Sequence, residues 1–247
     1  MANQALLSTT MNEGIGELVL NNPARKNSLS KKLLSVLKNS LTSMADKRVR
    51  VVILTGADGA FSAGADFDDL TGTKADKAMD KAIEEVVLQI RNLPVPVIAA
   101  IEGPCMGGAV DIALACDLNV ASEQAFFEVP ATRSGLLYNP EAVQRWHTRL
   151  GSPALRRVLL LGERLTATEA FKIGLVSHVV PEGSTLEVAQ QFASRIKDAS
   201  QSAIGSTKGL LVALETGDTD LDRWKQIYEQ SLDSPERGEL IAELKDL

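Results

Sequence analysis

An α/β fold, a sheet-containing core followed by a helical C-terminal region, is what the order of apolar patterns along the chain predicts. Three observations carry this. Strand-like and helix-like segments alternate through the first half. Two of the strand-like runs, Val49 to Thr55 and Val97 to Ile101, are apolar at nearly every position, as strands buried on both faces should be. From about Pro140 onward the spacing turns helical, apart from a short strand expected at Val176 to Val180.

In chain order, Gly16 to Leu20 reads as a strand closed by the turn-rich Asn21-Asn22-Pro23. Ser30 is suited to cap a helix, because its hydroxyl can accept from an orphan N–H of the first turn. Leu33, Leu34, Leu37, Leu41 and Met44 then fall on one face behind it. The strand Val49 to Thr55 ends in the turn Gly56-Ala57-Asp58-Gly59. Helical spacing returns over Asp76 to Asn92 through Met79, Ile83, Val86, Val87 and Ile90, and Pro94 and Pro96 stop it. Val97 to Ile101 is the next strand, Gly103 to Gly108 a loop, Ala109 to Cys116 a short helix, and Leu118 to Val120 another strand. No low-complexity linker interrupts the series.

The 247 residues fit one large domain, or one with a small appendage. With 26 basic and 32 acidic residues the net charge is -6, which argues against a nucleic-acid or anionic-membrane surface while allowing a local basic patch for a polyanion such as coenzyme A. Cys105 and Cys116 lie in apolar surroundings and His147 and His178 are the two histidines, so no zinc set forms at ligand spacing and no metal is expected. The first residues lack the basic and apolar regions of a secretory signal, and Val95 to Ile101 is too short to span a bilayer. A cytoplasmic location with reduced thiols is the expectation.

Two glycine-bearing loops follow the fully apolar strands. The first is Phe61-Ser62-Ala63-Gly64-Ala65-Asp66-Phe67, the second Glu102-Gly103-Pro104-Cys105-Met106-Gly107-Gly108-Ala109-Val110-Asp111. Small residues let a ligand approach backbone N–H groups. The second loop also opens into a helix, whose first turn presents unpaired donors and the positive end of the dipole. Neither loop matches a dinucleotide fingerprint or a P-loop, and spacing alone leaves tight packing turns as the alternative.

Those two loops, together with Asn22-Pro23, Asn27-Ser28-Leu29-Ser30, Val52 to Gly56, Pro96 to Gly103, Cys116-Asp117 and Leu161-Gly162-Glu163-Arg164-Leu165-Thr166-Ala167, resemble the crotonase (enoyl-CoA hydratase/isomerase) superfamily. The matches run in order from about residue 15 to 180. The resemblance implies a crotonase-like spiral of ββα repeats over residues 1–190 and a helical trimerisation region over 191–247. It implies an acyl-CoA thioester as substrate, with coenzyme A as part of that substrate and no other cofactor. It also implies a homotrimer or homohexamer, with no nucleic-acid or membrane partner. Leu210, Leu211, Leu214, Leu221, Trp224 and Tyr228 supply apolar faces for such an assembly or for packing within the chain.

The same resemblance assigns roles residue by residue. The N–H groups of Ala65 and Gly108 would converge on the thioester carbonyl oxygen and stabilise an enolate. Ala63, Gly64, Phe67 and Gly107 shape that site, and Asp66 is expected as a loop-fixing acceptor. Arg25 and Lys26 flank the early loop that holds the coenzyme A end. A family hydratase carries two glutamates for water addition. Their positions are occupied here by Asp111 and by Ala131, in Phe127-Glu128-Val129-Pro130-Ala131. Gly-Gly-x-Val-Asp is similar to the dienoyl-CoA isomerases, and Gly135-Leu136-Leu137-Tyr138-Asn139 resembles the methylmalonyl-CoA decarboxylases.

Three readings follow. Isomerisation of a double bond uses Asp111 as the single acid/base. Decarboxylation of a malonyl-type thioester uses Tyr138 and Asn139 in the pocket. Non-catalytic acyl-CoA binding accounts for the missing glutamate. Glu128 is expected to be structural, and His147 and His178 to lie at the surface.

Overall fold

The computed structural model describes residues 5–218 and 220–245. A hairpin opens the chain: β1 (Leu7–Asn12) pairs antiparallel with β2 (Ile15–Leu20). Beyond it come α1 (Lys31–Asp46), β3 (Val51–Gly56), α2 (Lys77–Asn92) and β4 (Val97–Ile101). The second glycine loop contains the short β5 (Pro104–Met106), followed by α3 (Gly108–Ala115), β6 (Leu118–Ser122) and β7 (Phe126–Glu128). Next are α4 (Pro140–Leu155), β8 (Leu165–Thr166), α5 (Ala167–Lys172) and β9 (His178–Val180). The helices α6 (Thr185–Lys197), α7 (Gln201–Glu215), α8 (Leu221–Leu232) and α9 (Pro235–Lys245) complete the described chain.

Among the described residues the strands form two sheets, one ordered β1-β2-β3-β4-β6-β9 and one ordered β5-β7-β8. Apart from the opening hairpin, the larger sheet is parallel. At β4-β5-α3 and again at β6-β7-α4 a strand of the large sheet leads into a short strand of the small one and then a helix, the ββα repeat of the spiral. Both faces of the large sheet are covered. Val52 and Leu54 point into the main core with α1 and α2, while Val51 and Ile53 meet Ala189 and Ala193 of α6. That is why β3 and β4 are apolar without alternation.

The helices form where the spacing requires. Ser30 Oγ accepts from the Leu33 N–H at 3.1 Å, and Leu33, Leu34, Leu37, Leu41 and Met44 are all buried. On α2 the buried set is Met79, Ile83, Val86, Val87 and Ile90, joined by Arg91. Each fully buried leucine or isoleucine contributes roughly 2 kcal/mol relative to exposure. The strand expected at Val176 to Val180 is confined to β9, because Val176 is taken up in the turn that closes α5 through a bond from its N–H to Ala170. β1, β5, β7 and β8 were not expected. The last three are two or three residues long, and such pairings are set by neighbours rather than by pattern. No helix among the described residues is long and apolar enough to cross a membrane.

Candidate active site

Several residues of the sequence motifs are staples that hold the loops. Asn27, fully buried with φ 57, accepts from the Asn22 N–H through Oδ1 and donates from Nδ2 to the carbonyls of Ala57 and Ala60. Asp66 accepts from Ser28 Oγ (2.9 Å), Arg25 Nη1 (3.0 Å) and the Asp68 N–H (3.1 Å). Burial alone pushes its carboxyl up, but these donors outweigh that and leave it below the usual range. Asp117 accepts from the Val97 N–H and from Lys208 Nζ, whose ammonium is buried and also donates to the carbonyls of Ile90 and Val95. Glu128 is buried between Arg133 (2.7 Å) and Arg164 (2.9 Å), in a structural role.

The two glycine loops are laced together. Ser62 donates its N–H to Pro104 and accepts from Met106, and Gly107 donates to Glu128 of β7. Gly64 has φ 86, and a Cβ placed there would sit 2.7 Å from the Met106 carbonyl oxygen, so glycine is required for the loops to touch. Leu29 donates to Gly64 and accepts from Asp66, which turns the N–H of the intervening Ala65 away from that bridge. Gly108 is the first residue of α3, where an N–H has no partner within its own helix. Neither N–H has a hydrogen-bond partner among the described residues.

Both residues line a cavity of about 630 Å³. Its walls include Ala63, Gly64, Phe67, Met106, Gly107, Ala131, Tyr138 and Asn139 as well as Asp111. Phe67 is 82% exposed and forms a lip. Arg25 is half-exposed and engaged by Asp66 and Asp68, so its guanidinium is already neutralised. Lys26 is exposed nearby, and its carbonyl accepts from the Ala63 N–H. His147 and His178 are exposed, His178 against the Phe192 ring.

Asp111 sits on the first turn of α3 at 3% exposure. Its Oδ1 accepts from Trp146 Nε1 at 2.8 Å and its Oδ2 from Arg145 Nη2 at 2.9 Å. Arg145 also clamps Glu84 of α2 with two bonds of 2.7 and 2.8 Å. Burial raises the Asp111 carboxyl above its ordinary range, while Arg145 and the Trp146 indole pull it back. Arg145, Trp146 and Glu84 escaped the sequence reading, since partners 34 to 61 residues apart leave no local spacing signal. The one available sign was a helix carrying Arg145, Trp146 and Arg149 within one turn.

Tyr138 lines the cavity but aims its hydroxyl at the Gly107 carbonyl (3.2 Å), the oxygen of the peptide unit whose N–H is that of Gly108. Its ring packs on Trp146 at 5.0 Å. Burial and the neighbouring Asp111 and Asp80 hold the phenol well above its usual range, so it stays protonated. Asn139 Oδ1 caps α4, accepting from the Glu141 N–H at 2.9 Å.

Two free donors aimed into one cavity, with a carboxylate one turn away, suit chemistry that builds negative charge on a carbonyl oxygen. The sequence profile described as enoyl-CoA hydratase/isomerase matches residues 10–229. The chain belongs to the enoyl-CoA hydratase/isomerase family. It is 32% identical over 231 residues to the 2,3-dehydroadipyl-CoA hydratase of Escherichia coli, covering 91% of this chain and 89% of that one. Among solved structures, the enoyl-CoA hydratase of Bacillus anthracis superposes with a TM-score of 0.86 at 32% identity, over 98% of this chain and 96% of that one. An enoyl-CoA hydratase/carnithine racemase of Magnetospirillum magneticum reaches 0.92 at 27% identity, over 99% and 94%. This family member is thus an acyl-CoA enzyme with the crotonase fold.

Proposed function

We propose that this enzyme moves a double bond along an enoyl-CoA thioester, with Asp111 as the proton carrier and the N–H groups of Ala65 and Gly108 as the oxyanion hole. The observation that carries this is the pairing of Asp111 with Ala131. A carboxylate stands beside the oxyanion glycine, and a methyl group occupies the place of the second hydratase glutamate. Asp111 takes a proton from C2 of a 3-enoyl thioester, and the electron pair collects on the thioester oxygen between the two N–H groups. The same carboxyl, exchanging its proton with solvent, delivers a proton at C4 and leaves the 2-enoyl product with no water consumed. One carboxylate suffices for that transfer, whereas family hydration uses two.

Hydration is the second reading, favoured by the names of the relatives in Escherichia coli and Bacillus anthracis. It requires another group to hold the water where Ala131 cannot. The decarboxylase reading has less support. Tyr138 spends its hydroxyl on Gly107 and Asn139 its carbonyl oxygen on a helix cap, so neither is poised over a substrate.

Incubation in D2O with 2-enoyl-, 3-enoyl-, dienoyl- and methylmalonyl-CoA, read by mass spectrometry and chromatography, decides among these. Isomerised product carrying deuterium supports the proposal. A product heavier by one water assigns hydration, and loss of CO2 assigns decarboxylation. Binding of every thioester without any product supports the non-catalytic reading.

We further propose a trimer or hexamer assembled through the C-terminal helices, where Leu211, Leu214, Leu221 and Tyr228 are more than half exposed. A monomer in sedimentation equilibrium at working concentration rejects it.

A further inference from the structure

The cavity has a one-sided electrostatic character. Asp76, Asp80 and Asp111 line it, and no lysine, arginine or histidine does so among the described residues. Asp111 is compensated by Arg145, which in turn is shared with Glu84. Asp76 is held ionised by the N–H and hydroxyl of Thr71 and the Gly72 N–H, neutral donors that leave its charge uncancelled. Asp80 is different again. Its carboxyl makes no hydrogen bond or ion pair with a described residue. Burial, and then the nearby charges of Asp76 and Glu141, push it above the usual carboxylate range.

Position gives Asp80 its reach. Ile83 of the same helix packs directly under the oxyanion glycine, since a Cβ on Gly108 would meet its Cδ1 at 2.5 Å. Asp80 lies three residues earlier on that face, about 5 Å along the helix axis. The same cavity runs from Gly108 and Ala65 past Ile83 to Asp80, so an acyl chain that fills it from the thioester end would pass Asp80. A carboxylate at the far end of such a chain would arrive among uncompensated acids with no cation to receive it.

We infer that the cavity selects uncharged acyl chains and excludes thioesters of dicarboxylic acids, with Asp80 as the specificity-determining residue. This rests on the acyl-CoA reading of the cavity but not on which reaction follows. Like charges brought together in a partly desolvated site weaken binding strongly, and a neutral chain of equal size escapes that penalty.

The test is calorimetric, with adipyl-CoA compared against its terminal monoamide, which has the same length and shape without the charge. The wild-type protein is expected to bind the monoamide at least about tenfold more tightly, or 1.4 kcal/mol. In Asp80→Asn the ratio is expected to fall below about threefold, chiefly by tighter binding of adipyl-CoA. Equal wild-type affinities overturn the inference, and this comparison needs no variant to fold. A tenfold ratio that persists in Asp80→Asn overturns the assignment to Asp80. Because affinity is read without turnover, a failure of the isomerase reading leaves this result standing. If neither thioester binds, the acyl-CoA reading of the cavity falls, and the inference with it.

Discussion

The two walls of the cavity are built in different ways. One is made of backbone: Gly64, Ala65, Gly107 and Gly108 bring two N–H groups to the surface through loops bonded to each other and to β7. The other presents Asp111 of α3, backed by a bonded chain of side chains behind the cavity, Arg145 and Trp146 of α4 and Glu84 of α2. The backbone wall offers fixed dipoles that need no reorganisation as charge develops. The helix wall holds Asp111, the proton carrier of the proposed reaction, whose behaviour depends on every charge packed around it. Position is what the first wall contributes, and tuning is the role of the second.

Four substitutions would break or sharpen that contrast. The largest effect is expected from Asp111→Asn, which keeps the shape of the helix wall and removes its base. Turnover of the accepted enoyl-CoA should fall about 10³-fold, within the range for a general base, with thioester affinity kept. Steady-state kinetics beside calorimetry reads both, and unchanged turnover would remove Asp111 from the mechanism.

Gly64→Ala attacks the backbone wall. The added methyl faces the Met106 carbonyl at 2.7 Å in a left-handed conformation that alone costs roughly 1–2 kcal/mol. Displacing the Ala65 donor is expected to lower kcat about 10²-fold. The shape of the pH profile should stay put, since no titrating group has moved. A shifted profile would show that the walls are coupled.

Arg145→Met tests the tuning. It leaves the buried Asp111 and the partly buried Glu84 without their cation, a change expected to cost roughly 3 kcal/mol in denaturant unfolding. The sign of its pH effect follows from the Asp111 carboxyl, which burial raises and Arg145 lowers. A base works when ionised, so wild-type activity should fall as pH drops through a value above the ordinary carboxylate range. Without Arg145 that acid limb should move to still higher pH. Stability runs the other way. The folded state binds this proton more tightly than the unfolded chain, so the contribution is present below the unfolded pKa and lost as pH rises through the folded one. An acid limb that stays fixed would show that the limb belongs to another group.

The smallest effect is expected from Tyr138→Phe, where the walls meet. The phenol donates to the Gly107 oxygen and so polarises the peptide that presents the Gly108 N–H. Losing one such neutral bond is worth about 1 kcal/mol, or roughly fivefold in kcat, with KM little changed. A loss in KM alone would mean that Tyr138 only shapes the cavity.

How much of this could be read in advance differs between the walls in the same way. The glycine loops are contiguous, each follows a strand apolar at nearly every position, and their small residues announce a close approach. The placement of Gly64, Ala65 and Gly108 at the cavity was therefore legible from local order together with the family resemblance. Asp111 was legible as a residue, but its partners were not. Asp80 was read simply as part of a helix, because a carboxylate on an amphipathic segment looks the same whether it faces water or a cavity. Arg25 was expected near the coenzyme A phosphates, and its pairing with Asp66 and Asp68 became visible only when the early loop was seen folded against the first glycine loop.

The sequence by itself determined the helices and long apolar strands around the site and the small residues of its two loops. Strand and helix periodicity and the Ser30 cap are local requirements set by the order of residues along the chain. Only the tertiary structure decided the electrostatics: that Arg145 faces both Asp111 and Glu84, that Lys208 reaches Asp117 from α7, and that Asp80 opens onto a cavity lined by no cation among the described residues. The physical reason is that backbone geometry is set by neighbours in the chain. The charge a buried group feels is set by neighbours in space, and those are chosen by how the helices pack on the sheet.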